Sequence, residues 1–177
     1  ACGSSDDSHS TMSGAGTTSS SMAEGMTTTA TSGDVEFAQM MIPHHEQAVE
    51  MADLALSNDT ASPEVKALAG QIKAAQDPEI QTMQGWLSQW GASQSSGSMA
   101  HGSGGMMSDD DMSSLMGASG PEFNQMWLTM MIEHHEGAVE MAQDVLATTS
   151  NPEVEQLATA VVQGQEKEIT TMKEMLG

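Results

Sequence analysis

Apolar residues recur every three or four positions in two stretches of the chain, 34–90 and 121–176, and lose that rhythm outside them. Placed at about 100° per residue, Phe37, Met41, Ala48, Ala52 and Ala55 form one stripe, with Glu46, Glu50 and Asp53 on the opposite face. This predicts a helix from an Asp34 N-cap to about Ser57. Ser57-Asn58-Asp59-Thr60 reads as a turn. Ser62 then caps a second helix with Pro63 in its first turn, ending at Gly91. Its stripe runs Val65, Leu68, Ala69, Ile72, Gln76, Glu79, Ile80, Met83, Trp86, Leu87 and Trp90. A third helix is predicted from Pro121-Glu122 to about Ala147, and a fourth from an Asn151 cap and Pro152 to the end of the pattern. Pro43 and Pro78 fall inside the first two helices and are expected to kink them. Glu133 and Lys167 take their places in the second pair.

The two stretches are copies. Met40-Met41-Ile42-Pro43-His44-His45-Glu46 returns as Met130-Met131-Ile132-Glu133-His134-His135-Glu136, and both continue into Ala-Val-Glu-Met-Ala. Gln76, Glu79, Ile80 and Met83 return as Gln165, Glu168, Ile169 and Met172. Each copy is a helical hairpin that cannot bury both of its stripes alone, whereas two hairpins face to face can. The predicted fold is all-α: a four-helix bundle spanning 33–177, with hairpin one at 34–90, a long crossover linker at 91–120 and hairpin two at 121–176.

Residues 1–32 and 91–119 are Ser, Thr, Gly and Met with little to bury. The first reads as a disordered tether and the second as a mobile linker, with a short helical turn expected near Asp109–Met116. Both carry scattered soft donors, among them His9, Met12, Met22, Met26, Met99, His101, Met106 and Met107.

Charge narrows the function classes. The formal net charge is -21, with four Lys and no Arg. That field repels nucleic-acid phosphates and attracts cations. A single cysteine, Cys2, rules out an internal disulfide. No apolar run approaches the roughly 20 residues of a membrane-spanning helix. The chain opens without Met, and Ala1-Cys2-Gly3 before a Ser-rich stretch is similar to the end of a bacterial lipoprotein signal. Cys2 is therefore the expected lipidation position, and membrane contact is expected only through such an anchor.

The candidate chemistry lies in the repeated His-His pairs. Residues three and four apart on a helix are neighbours, so Met40, Met41, His44, His45 and Met51 gather in the first copy. Met130, Met131, His134, His135 and Met141 do so in the second. Met83 and Met172 on the partner helices could complete each set. Imidazole with thioether favours Cu(I) or Ag(I) over Mg, Ca or Mn, and Cu(II) could use the imidazoles with carboxylate or water. Gln76, Glu79, Gln165 and Glu168 lie in apolar stripes, where a carboxylate is costly unless paired. Glu79 and Glu168 could orient the histidines through their second ring nitrogens. The bland alternative keeps the same pairs as metal-free core hydrogen bonds and the methionines as core filler.

Other chemistries lack residues. A di-iron oxidase needs Glu-x-x-His on two helices, and no Glu stands three positions before any of the six histidines. Cys2 is remote from the helices, and no Gly-rich phosphate loop precedes one. A binding protein is expected rather than an enzyme. A metal-free interaction module and a metal-dependent redox enzyme are the alternatives.

The run Met-Ile-x-His-His followed by Ala-x-x-Met-Ala, present as Met41 to Ala52 and Met131 to Ala142, resembles the bacterial family called domain of unknown function (DUF) 305. The later Gln-x-x-Glu-Ile-x-x-Met fits as well. The resemblance covers 34–90 and 121–176. It implies a ferritin-like four-helix fold. Through its CopM-type members it also implies copper binding outside the cytoplasm, in copper resistance, with the Met and His residues as ligands. Copper ions are then the expected partner, with a protein that receives them left unnamed.

Overall fold

The computed structural model describes residues 29–94 and 104–177. Among them are five helices and no strand: α1 (Ser32–Ser57), α2 (Pro63–Gln89), α3 (Asp109–Gly117), α4 (Gly120–Leu146) and α5 (Pro152–Leu176). Side-chain oxygens satisfy first-turn N–H groups where Ser62 caps α2 and Asn151 caps α5, whereas Ser119 at the head of α4 makes no such bond. The start of α1 corrects the sequence reading. Thr31 is the N-cap, and Asp34 is the third helical residue, completing a capping box with the Thr31 N–H. Asp34 is 1% exposed and also accepts from Thr149 at 2.6 Å, so it ties the head of α1 to the α4–α5 turn. Helix α1 runs unbroken through Pro43 and α2 through Pro78, so neither proline ends its helix.

Helix α1 packs along α2, α4 along α5, and α1 on α4. The α1–α4 seam is antiparallel. Trp127 Nε1 donates to the Met51 carbonyl at 2.8 Å, His44 stacks on His134, and Phe37 shares a cleft with Met141. The repeat offset gives these pairings a meaning. Trp127 repeats Phe37, Met141 repeats Met51, and His134 repeats His44. The Met51–Trp127 and Phe37–Met141 pairings are therefore one arrangement seen from either half. An approximate two-fold axis crosses the seam at His44 and His134.

The histidines also divide the core. One apolar cluster gathers the second half of α1, the first half of α2, the start of α4 and Met172. The other gathers Phe37, Ala38, Met41, Ile42, Met83, Trp86 and Leu87 with Ala138, Ala142, Val145, Val154, Ala158 and Val161. The short helix expected near Asp109 is present, and the described part of the linker departs from expectation in being packed into the core. Asp109–Gly117 is a capped helix, and Met107, Met112 and Leu115 are buried in the first cluster. The apolar spacing Met112 to Leu115 gives α3 one face to bury, which an unstructured linker would leave in water. The expectations for Cys2, His9, Met12, Met22, Met26, Met99, His101 and the tether as a whole fall outside the described residues, save for the start of α1.

Candidate metal centre

His44 and His134 meet at the middle of the seam, while His45 and His135 turn from α1 and α4 to partners on α2 and α5. His44 and His134 are each 1% exposed, and His45 and His135 are fully buried. The His44 and His134 rings touch across the axis, with centroids 3.8 Å apart and planes tilted by 36°. His45 Nε2 donates to Glu79 Oε2 at 2.7 Å, and His135 Nε2 donates to Glu168 Oε2 at 2.7 Å. These carboxylates reach in from α2 and α5 and are only partly exposed. In each pairing Nε2 faces the carboxylate and Nδ1 is left free of it.

That free nitrogen is left over four times. Nδ1 of His44, His45, His134 and His135 is buried with no hydrogen-bond partner among the described residues, and Nε2 of His134 is likewise alone. Gln76 Oε1 and both amide atoms of Gln165 share this state one turn away. An unpartnered buried polar atom costs roughly 1–3 kcal/mol, and such atoms in native proteins call for an explanation.

The methionines fall by side of the histidine layer rather than by hairpin. Met51 of hairpin one joins Met130, Met131 and Met172 of hairpin two in one cluster. Met41 and Met83 lie in the other, with Met141 packed against it. The sequence reading gave each hairpin its own patch. The antiparallel seam instead interleaves donors from both. Met41, Met51, Met83, Met131 and Met172 are fully buried, whereas Met40 and Met141 are partly exposed. No three His, Cys, Asp or Glu side chains among the described residues are grouped to hold a metal ion. The buried methionines offer thioether sulfur, a donor that suits soft cations.

Three residues outside the predicted set shape the centre. Gly104 accepts from His44 Nε2 through its carbonyl at 2.7 Å. Gln47 grips Met107 by two backbone hydrogen bonds, Nε2 to its carbonyl at 2.9 Å and its N–H to Oε1 at 2.8 Å. Gly137 is the repeat of Gln47, and a Cβ there would stand 1.7 Å from the Gly104 carbonyl oxygen. The chain from Gly104 to Met107 thus crosses the seam beside the histidines, held by Gln47 on α1 and admitted by the bare Gly137 on α4. The signal was present in the sequence: Gln47 and Gly137 are the one mismatch in His-His-Glu-x-Ala-Val-Glu-Met-Ala.

Burial decides the protonation of the central pair. Desolvation pushes His44 down to about 3, against a smaller upward pull from the Gly104 carbonyl, with His45 and His135 adding repulsion. Desolvation also holds His134 well below the ordinary histidine range, helped by His44, His135 and His45. Both rings are neutral near pH 7, the form that offers a lone pair to a metal.

The profile of the family described as Domain of unknown function (DUF305) matches residues 34–176. No curated protein sequence matches the chain. A DUF305 fragment from Deinococcus radiodurans is 33% identical, with a TM-score of 0.78 over 84% of this chain and 97% of that one. A Streptomyces coelicolor DUF305 protein, named as a candidate secreted protein, is 34% identical, with a TM-score of 0.76 over 81% of this chain and 90% of that one. CopM in its Cu(I)-bound form is 33% identical, with a TM-score of 0.68 over 80% of this chain and 94% of that one. CopM structures with Cu(II) and with silver also match. With the family profile spanning both hairpins and relatives this similar over most of their length, the chain belongs to the DUF305 family.

Proposed function

We propose that this protein binds copper outside the cytoplasm, as Cu(I) in the first place and with Ag(I) and Cu(II) as further cargo, and holds or passes it on in copper tolerance. The observation that carries the reading is that all four Nδ1 atoms of the two histidine pairs are buried without hydrogen-bond partners among the described residues, with His44 touching His134 and methionines of both hairpins buried in the same core. Neutral imidazole and thioether are the donors that Cu(I) prefers. Glu79 and Glu168 would orient His45 and His135 from behind, as carboxylates do for metal-bound imidazoles, while Gln76 and Gln165 supply buried amides beside them. The likeness to CopM, solved with copper and with silver, supports the same cargo. The likeness to a protein named as a candidate for secretion supports a place in the cell envelope. Lipidation at Cys2 would supply the anchor, since no helix among the described residues is long and apolar enough to cross a membrane. The architecture is read as a ferritin-like four-helix bundle of α1, α2, α4 and α5, with no catalytic role.

Titrating Cu(I) into the full chain against a competing chelator tests this. Changing His44, His45, His134 and His135 to Ala should abolish the tight component, and unchanged affinity would overturn it. The second reading, a metal-free interaction module, is favoured by one observation: His45 and His135 already have carboxylate partners without any metal. Metal analysis of protein from copper-fed cells separates the two, since the module would emerge metal-free and show no soft-metal affinity.

A further inference from the structure

The seam has two faces with the same methionines, and only one face covers both of them. On the covered face Met51 and Met130 are buried in one cluster with Phe123 and Trp127, and Leu54 and Met126 pack against that cluster. The repeat puts Gly33, Glu36, Phe37 and Asp144 at the corresponding places on the other face. A glycine and two carboxylates cannot fill the space that Phe123, Met126 and Leu54 fill. A cleft of about 300 Å³ remains there among the described residues, lined by Met40 of hairpin one and Met141 of hairpin two. Both methionines are partly exposed, as Met130 and Met51 are not. A Cβ on Gly104 would stand 3.7 Å from Met141 Sδ, and the Gly104 carbonyl is what holds His44.

We propose that the Met40–Met141 cleft is a capture site where a soft monovalent cation first docks before it reaches the histidine pair. The proposal rests on the soft-metal reading above and adds where the ion enters. Two thioethers on facing helices supply soft donors at a solvent-facing place. Glu36 and Asp144, both exposed at the cleft, raise the local cation concentration, and a wall of low dielectric focuses that field. The other face has a cleft of its own at Leu54 and Phe123, but neither Met51 nor Met130 lines it, and both are buried.

The test uses the full chain carrying ¹³C-methyl methionine, titrated with silver nitrate in chloride-free buffer. At substoichiometric silver the Met40 and Met141 methyl signals should move first, before those of Met51 and Met130. Uptake followed by stopped flow should slow about tenfold in Glu36→Leu with Asp144→Leu, the low end of electrostatic focusing, with the silver retained at saturation unchanged. Met40→Leu with Met141→Leu, a volume-conserving pair, should slow it at least as much. Met51 and Met130 moving first, or wild-type uptake in the methionine variant, would overturn the capture site while leaving the soft-metal reading intact. A wild-type chain that retains no silver in equilibrium dialysis would end both.

Discussion

Hairpin one and hairpin two carry the same chemical residues and differ in what lies over them. His45 and His135 hold Glu79 and Glu168 at the same 2.7 Å. His44 and His134 do not match: the first donates to the Gly104 carbonyl, and the second has neither ring nitrogen paired among the described residues. The cause is topological. One crossing segment can lie on only one side of a two-fold axis, so Gly104–Met107 serves one half. Helix α3 likewise covers one cluster, and the opposite face keeps its cleft. The histidine, carboxylate and methionine set is duplicated, while access to it is not.

The comparison breaks most severely in acid. His44 and His134 touch as neutral rings, and their folded values lie below the unfolded one near 6.5. Between about pH 3 and 6.5 the unfolded chain binds more protons, so stability is complete above that window and falls as pH drops through it. At about pH 4.5 the His44 ring should cost on the order of 2–3 kcal/mol, and His134 adds a loss of the same sign. Urea melts followed by circular dichroism should show that loss, and His44→Gln with His134→Gln should flatten it. A pH-independent midpoint in the wild type would contradict the assignment of two neutral rings.

Next comes the crossing segment. Gly137→Ala places a methyl group into the Gly104 carbonyl and should cost about 2 kcal/mol, in the range of overpacked sites. Hydrogen exchange should then rise at the Met107 amide, which Gln47 otherwise holds. Full protection in that variant would show that α4 can yield instead.

The shared chemistry should respond symmetrically. Glu79→Gln and Glu168→Gln should each lower Cu(I) affinity by about tenfold to a hundredfold, the usual effect of removing a carboxylate behind a metal-bound imidazole. A large effect from only one of them would mean that the two halves do not share a centre. The smallest expected effect is that of Gln47→Ala, which removes two partly buried hydrogen bonds. It should cost about 1 kcal/mol in a thermal melt.

Much of this was legible in the sequence because it rests on local rules. The 3.6-residue rhythm placed all four long helices, the Ser62 and Asn151 caps, and the short helix near Asp109. The costly carboxylates in apolar stripes pointed to Glu79 and Glu168 as partners for histidines. What was not legible depends on three-dimensional register. Helical spacing groups Met51 with His44, but the antiparallel seam puts Met51 beside Met131 and Met172 of the other hairpin. Nothing in local spacing says that His44 meets His134. Asp34 was read as the cap because it precedes the apolar rhythm, whereas Thr31 takes that place and Asp34 turns inward to Thr149. The Gly104–Met107 crossing was hidden in a Ser/Gly/Met composition that suggested only a linker. The Gln47/Gly137 mismatch marked it, yet its meaning needed the fold.

The central claim is that the buried imidazoles, rather than the methionine-rich flanks, hold the soft metal. Chelator competition with Cu(I) tests it most directly on two full-length proteins: the wild type, and the variant with His44, His45, His134 and His135 changed to Ala. Circular dichroism would confirm helicity in both. The account predicts tight binding in the wild type and its loss in the variant. Equal affinity in a folded variant would contradict it.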